Sequence, residues 1–403
     1  MGIENAVNID DLYRIARRRT PKVVFDFIEG GVEGETALAR NEAAFRRYGL
    51  VPRYLVDVSK VDQTTRLFGR DWSSPFGFAP TGAAGLFRLG ADLDLAAAAA
   101  RANIPFIMSG ASNDTIEDAA KVAREHTWYQ VYAARDGSIT EDMIRRSADA
   151  GLGALVLTVD VPIRPRRERN VRNGYSHDLR RLTPGRVIDG LLHPVWTYEY
   201  LRNGGAPTLG NWVPYAPPGA DVHAVIDFVN SQTPASHQTW RELESYRRLW
   251  QGPLIVKGIL HPGDAVRAAE LGADGVIVSN HGGRQLDHAP ASVDMFPAVR
   301  AAVGDRLTLM LDSGVRRGAD IIVGLCLGAA FVFVGRAAVY GVVAGGEAGA
   351  ARAIDILRQQ IATNLGQMGI TAIDRLGAHC LAEGGGVVTV SPEPVAAARQ
   401  AAQ

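Results

Sequence analysis

"LIVKGILHPGDAVRAAELGADGVIVSNH", Leu254 to His281, sets two apolar runs on either side of a helical pattern. The runs, "LIVKG" and "GVIVSNH", show no strict alternation of polar and apolar residues, so they read as parallel strands buried on both faces. Between them, "DAVRAAELGADG" reads as a helix with Asp264 at its cap and Gly272 at its stop. Strand, helix and parallel strand make up the repeating unit of an α/β protein.

The same alternation begins near residue 76. Further apolar runs are "FGFAP" (76–80), "IPFIMS" (104–109), "WYQVY" (128–132), "ALVLTVD" (154–160), "LTLMLDSG" (307–314) and "FVFVG" (331–335). Eight strand–helix units in one chain predict a (β/α)8 TIM barrel over about 76–367. A doubly wound open sheet would need a dinucleotide-type glycine turn, and "APTGAAG" (79–85) lacks that spacing. Residues 1–75 read as an N-terminal helical cap followed by a connecting segment. The gap after Asp160 is too long for an ordinary loop, so about 161–240 is a long insertion after strand 4, on the catalytic face. One domain over 1–390 and an Ala-rich tail over 391–403 complete the expected organisation.

Composition narrows the function. Lys plus Arg and Asp plus Glu both number 43, so the balance of charge suggests no nucleic-acid partner. The cysteines, Cys326 and Cys380, form neither a disulfide framework nor a metal-binding spacing, which fits a reducing compartment. The start lacks the apolar core of a signal peptide, and no apolar stretch is long enough to span a bilayer as a helix. The expected location is cytoplasmic.

In a barrel, the C-terminal strand ends share one mouth. These ends carry Thr81 and Gly82, Ser109, Gln130 and Tyr132, Thr158 and Asp160, Lys257, His281 and Arg284, Asp312, and Gly335 with Arg336. Such a set collects a base, a carboxylate to orient it and several cations, as an anion-handling acid–base site requires. The segments "DSGVRRG" (312–318) and "GRAAVYG" (335–341) add glycine amides, helix starts, Arg316 and Arg336 at the strand ends where this fold most often binds phosphate. The competing reading is glycines for turns and arginines for surface ion pairs. A phosphate ligand beside Lys257 and the amide-type groups suggests flavin mononucleotide (FMN), with Gln130, Thr158 and Ser109 on the pyrimidine edge. Asp160 near His281 would stabilise the imidazolium formed when His281 takes a proton; a satisfied core histidine is the alternative. Tyr132, Arg167 and Arg284 suit a small anionic substrate.

With these residues in place, the chain resembles the FMN-dependent 2-hydroxy acid oxidases and dehydrogenases from about residue 8 to 385. "SNHGGRQLD" (279–287) matches the family's active-site signature, and "LVLTVD", "IVKG", "LDSGVRRG" and "GRAAVYG" follow in order. In the insertion, "VIDGLLHPVW" and "FVNSQT" are similar to the membrane-associated (S)-mandelate dehydrogenases. The resemblance implies that His281 is the base, Asp160 its partner, and Arg167 and Arg284 the holders of the substrate carboxylate. It implies that Tyr132 hydrogen-bonds the substrate and that Lys257 faces flavin N1 and O2. Pro80, Thr81, Gly82, Ser109, Gln130, Thr158, Ser279, Asp312, Ser313, Gly314, Arg316, Gly335 and Arg336 would complete the FMN site. An (S)-2-hydroxy acid, mandelate- or lactate-like, would become the 2-oxo acid, with electrons passing to a quinone, a cytochrome or oxygen. Gly82, where oxidases of the family often carry alanine, points to a dehydrogenase. The family also implies a homo-oligomer, a tetramer.

One position departs from the pattern. The family usually has "YDY" where this chain has "FDF", and Phe27 replaces the tyrosine that binds the substrate carboxylate. A neutral 2-hydroxy ester or lactone, such as L-pantoyl lactone, is therefore an alternative substrate. Two other classes compete: a non-redox FMN isomerase, disfavoured by the intact His281, Arg284 and Asp160 set, and a non-catalytic barrel, which needs no Lys257 with His281. The insertion over 187–212, with Leu191, Leu192, Val195, Trp196, Tyr198, Tyr200 and Trp212, suits peripheral contact with the inner face of the cell membrane. A lid or an oligomer contact is the other reading.

Overall fold

A computed structural model describes residues 1–175 and 183–383. Its centre is a closed barrel of eight parallel strands, each at one of the eight apolar runs. They are β1 (Phe76–Phe78), β2 (Phe106–Met108), β3 (Thr127–Val131), β4 (Leu155–Thr158), β5 (Leu254–Ile259), β6 (Gly275–Val278), β7 (Thr308–Leu311) and β8 (Phe331–Val334). Each pairs with the next, and β8 closes on β1. The tail over 391–403 lies outside the described residues.

The apolar runs serve two cores at once. Phe78, Met108, Val131, Leu157, Val256, Val278, Leu311 and Val334 join the cluster shared with the surrounding helices. Ile107, Trp128, Val156, Ile255, Ile277, Met310 and Phe333 fill the barrel interior. Side chains alternate along a strand, so the residue two places further on also points inward, nearer the mouth. Those residues are Ser109, Gln130, Thr158, Lys257, Ser279, Asp312 and Gly335. The pleat therefore converts a hydrophobic interior into a polar rim within one layer.

Below the interior, the segment expected to be a plain connection before residue 76 forms a hairpin. Thr65–Leu67 pairs antiparallel with Arg70–Trp72 through a two-residue turn, Phe68 and Gly69, with φ of 49° and 78°. Leu67 and Trp72 are buried and, with Phe68, join the interior cluster, closing the barrel floor. At the other end sit α1 (Ile9–Arg19), α2 (Lys22–Glu29) and α3 (Thr36–Phe45). Helix α1 packs on the helical segment Arg336–Gln367, which breaks at Gly345 and Gly346.

The insertion is largely helical and is fastened to the mouth. It includes helices Glu168–Asn173, Pro184–Leu192, Pro194–Arg202 and Val222–Gln232, and helix Trp240–Leu249 then leads back to β5. Trp196 Nε1 donates to the Leu86 carbonyl and Trp212 Nε1 to the Gly110 carbonyl, both at 2.8 Å. Asn113 bridges two loops, accepting from the Gly85 amide at 2.8 Å and donating to the Thr208 carbonyl at 2.8 Å. These bonds correct one expectation: Trp196 and Trp212 are buried in the protein and present no aromatic surface outward. Tyr200, half-buried, stacks on Trp196. Leu191 and Leu192, each 72% exposed, and Tyr198 remain at the surface. No helix among the described residues is long and apolar enough to cross a membrane.

Asp92, beneath these loops, accepts from the Asn113 amide at 3.0 Å. Burial, then the neighbouring Asp114 carboxylate, raises its pKa from 3.8 to about 7. A carboxyl with a raised folded pKa supports the fold most below its unfolded value, and that support is lost as pH rises through the folded value. Asp92→Asn keeps an acceptor but cannot ionise. Its melting temperature should therefore gain on that of the wild type between pH 5 and pH 8; a constant difference across that range would refute the assignment.

Candidate active site

The polar rim is hydrogen-bonded from strand to strand. Gln130 accepts from the Ser109 hydroxyl at 3.0 Å and donates to Thr158 at 2.9 Å. Across the mouth, Lys257 donates to Ser279 Oγ at 3.0 Å and pairs with Asp312 at 3.2 Å. Burial alone would lower the lysine pKa, but Asp312 and Asp160 outweigh it and the net shift is upward. The ammonium therefore stays charged in a buried place. In the loop after β1, Pro80 and Thr81 lead to Gly82, where an added Cβ would lie 3.0 Å from Ala111 Cβ and 3.4 Å from Ser109 Oγ.

Next to Lys257 stands the imidazole. His281 Nδ1 lies 2.8 Å from Asp160 Oδ1, and Nε2 lies 3.4 Å from the Tyr132 hydroxyl. A carboxylate on Nδ1 holds the proton there and leaves Nε2 as the basic atom. Gly258 makes this approach possible, because a Cβ there would lie 2.6 Å from Asp160 Cγ. Burial lowers the His281 pKa; Asp160 opposes this and Lys257 adds to it, so the ring is neutral at neutral pH. Burial would raise the Asp160 pKa, but His281 and Lys257 hold it low, so it is ionised.

Three guanidinium groups line the rest of the mouth. Arg284 Nη1 donates to the carbonyls of Phe27 and Gly30, each at 2.8 Å. Arg336 donates to the carbonyls of Ile28, Glu29, Gly30 and Gly282 at 2.9–3.2 Å. Arg167 and Arg284 both lie over the Phe27 ring, at 5.5 and 5.0 Å. Among the described residues, none of Arg167, Arg284 and Arg336 has a carboxylate within ion-pair distance. Burial lowers all three pKa values, that of Arg284 furthest, and neighbouring cations add to it: Arg336 and Arg164 at Arg167, Arg167 and Arg336 at Arg284, and Arg316 at Arg336. A guanidinium does not deprotonate in a protein, so this depression is an electrostatic cost that a bound anion would relieve. Arg167 Nε and Asp160 Oδ2 are moreover buried without a hydrogen-bond partner among the described residues.

The two readings of the β7 loop divide by residue. Arg316 pairs with Glu42 at 2.9 Å, as an ion-pair arginine would, whereas Arg336, after β8, has no carboxylate within ion-pair distance among the described residues. Gly314 is demanded by packing, since a Cβ would lie 2.3 Å from the Asn41 carbonyl oxygen. Ser313 accepts from the Gly282 amide at 2.9 Å and donates to Asp312 at 2.9 Å, tying this loop to the signature loop. Gly335 leaves open space, with only Ala79 Cβ, at 3.9 Å, near its missing side chain. The structure thus gathers all the expected residues at one end of the barrel.

Some contacts escaped the sequence reading. Asn280 and Asn41 bond reciprocally at 2.8 and 2.7 Å, and Asp287 accepts from the amides of Gly34 and Ala37 at the start of α3. The offset between signature and N-terminal cap carries no local pattern that announces such pairs. Tyr175, just beyond the Gly174 cap of helix Glu168–Asn173, stacks on Phe27 with ring centroids 4.7 Å apart.

A mouth with an oriented imidazole, a buried lysine and unpaired guanidinium groups defines an anion-binding acid–base barrel. The family model for FMN-dependent dehydrogenases matches residues 16–383, and the chain belongs to that family; its cofactor is FMN. It is 37% identical over 389 residues to (S)-mandelate dehydrogenase of Pseudomonas putida, covering 96% of this chain and 97% of that protein. It is 36% identical over 373 residues to L-lactate dehydrogenase of Caulobacter sp. strain K31, covering 93% and 97%. The crystal structure of the monotopic membrane protein (S)-mandelate dehydrogenase superposes with a TM-score of 0.90 at 36% identity, over 94% of this chain and 100% of that one. The protein is thus an FMN-dependent 2-hydroxy acid dehydrogenase by family.

A base held as His281 is predicts that His281→Gln keeps its flavin and loses turnover by about 10²–10⁴-fold. The acidic limb of kcat/KM should lie below the ordinary imidazole pKa of 6.5, because burial favours the neutral ring. An acidic limb above that value, or turnover in His281→Gln within tenfold of wild type, would remove His281 from this role.

Proposed function

We propose that this protein oxidises an (S)-2-hydroxy acid, mandelate- or lactate-like, to its 2-oxo acid and passes the electrons to a quinone or cytochrome in preference to oxygen. The observation that carries this reading is the basic Nε2 of His281 facing a mouth where Arg167, Arg284 and Arg336 have no carboxylate partner among the described residues. Bound FMN supplies the two-electron acceptor. Pro80, Thr81, Gly82, Ser109, Gln130, Thr158, Lys257 and Ser279 would line its ring. Arg336, Gly335, Gly314 and Ser313, with Arg316 alongside, would hold its phosphate, and Asp312 would keep Lys257 in place. Arg167 and Arg284 clamp the substrate carboxylate, and the Tyr132 hydroxyl binds beside Nε2. His281 Nε2 takes the proton released as the carbinol carbon becomes a carbonyl, and Asp160 stabilises the resulting imidazolium.

Phe27 favours a second reading. An apolar ring beneath two guanidinium groups offers no hydroxyl to a carboxylate, and so suits a neutral 2-hydroxy ester or lactone. Anaerobic mixing of the yellow holoenzyme with mandelate, lactate, methyl mandelate and pantoyl lactone decides between them. The acids should bleach the flavin with the higher kcat/KM; a lead of tenfold or more for the ester or lactone, about 1.4 kcal/mol in transition-state binding, selects the neutral substrate. Reoxidation of the reduced enzyme should be faster with a quinone than with oxygen.

We also propose that helices Pro184–Leu192 and Pro194–Arg202 rest on a membrane surface through Val187, Ile188, Leu191, Leu192, Val195 and Tyr198, all exposed. Replacing this segment with a short linker should abolish co-sedimentation with liposomes; unchanged sedimentation would refute the contact.

A further inference from the structure

Phe27 lacks the hydroxyl that the family usually presents at that position, yet the two arginines beside it are retained. The ring stacked on it belongs to Tyr175, 4.7 Å away with planes inclined by 27°. Phe27 itself lies beneath both Arg167 and Arg284, at 5.5 and 5.0 Å. Tyrosine, phenylalanine and two guanidinium groups therefore form one cluster at the edge of the mouth. The Tyr175 hydroxyl is buried, and burial raises its pKa while Arg167 and Arg284 pull it down. Both arginines are influenced by Tyr132 and Tyr175 alike. Of these two phenols, Tyr132 lies 3.4 Å from His281 Nε2 and Tyr175 comes from the insertion.

We infer that Tyr175 is a substrate-binding residue, whose hydroxyl donates to the substrate carboxylate held by Arg167 and Arg284 and so takes over the role that Phe27 cannot perform. A phenol is a suitable donor here, because it hydrogen-bonds an anion without adding to the crowded positive charge. Its seat on the Phe27 ring fixes its approach with little side-chain freedom left to lose on binding. The insertion then contributes directly to specificity: a free carboxylate gains a donor that an ester or lactone uses less well. This inference rests on the proposed 2-hydroxy acid reading and names the group that selects the acid.

The test uses the FMN-loaded enzyme and reads binding as well as turnover. Tyr175→Phe should weaken binding of benzoylformate, a 2-oxo acid followed by its perturbation of the flavin spectrum, by about tenfold or more, as loss of a hydrogen bond to a charged group implies. The kcat/KM for mandelate should fall similarly, while that for methyl mandelate changes by less than about threefold on the same argument. Phe27→Tyr placed in the Tyr175→Phe background should restore acid binding, a rescue that a merely structural role for Tyr175 would not give. Equal losses for acid and ester, changes below threefold in both, or no rescue would overturn the assignment. If no 2-hydroxy acid reduces the wild-type flavin, the oxidation reading fails; selective loss of benzoylformate binding in Tyr175→Phe would still support the contact. Absence of benzoylformate binding by wild type would overturn it.

Discussion

The carbonyl end of α2 is held over the barrel mouth by two guanidinium groups, and much of the site depends on that attachment. A helix leaves its last carbonyls without partners inside the helix, and its C-terminus carries partial negative charge. Here Arg284 and Arg336 donate to the carbonyls of Phe27, Ile28, Glu29 and Gly30. Each bond to a charged donor is worth about 1.5–3 kcal/mol when its loss leaves a buried group unsatisfied. The same bonds settle where Phe27 stands. An arginine truncated here would therefore disturb substrate recognition and the seating of the N-terminal cap together, and its effect could not be assigned to charge alone.

The signature loop does similar double work on the other side of that attachment. His281 adopts φ of 58°, a left-handed conformation unusual for a residue with a side chain. Such a residue costs about 1–3 kcal/mol and persists where its surroundings over-determine it. The surroundings are visible: its amide donates to Ser279, the next amide donates to Ser313, and Asn280 is locked to Asn41 of α3. Gly283 has no room for a side chain, since a Cβ would lie 2.5 Å from the Leu38 amide nitrogen. The loop thus aims the imidazole while joining the barrel to its cap, so folding and chemistry draw on the same contacts.

What could be read in advance followed from this arrangement. The barrel strands were legible because a strand buried on both faces must be apolar throughout, and the rim was legible because the pleat carries side chains inward at fixed steps. Those rules need only neighbouring residues. The floor hairpin hid because its strands are short and its turn uses Phe68 where a hairpin turn usually signals with asparagine or glycine. Trp196 and Trp212 looked like surface aromatics because composition does not reveal which face of a helix meets the barrel. Tyr175 hid for a further reason: its significance lies in what it touches, and Phe27 is far away in sequence.

The excess of buried positive charge connects these observations. Taking a cation out of water is expensive unless it is paired and hydrogen-bonded. Arg167, Arg284 and Arg336 are only partly compensated, by carbonyls and aromatic rings that carry no net charge. Lys257, by contrast, has Asp312 beside it, and Asp160 has His281. The lysine and the imidazole are thus set before any ligand arrives, whereas the guanidinium groups keep an unmet demand for anions. A phosphate and a carboxylate satisfy that demand, and their binding should then stabilise the fold by mass action, more strongly as ligand concentration exceeds the dissociation constant. The residues that make the mouth selective are therefore those that leave the ligand-free fold least stable.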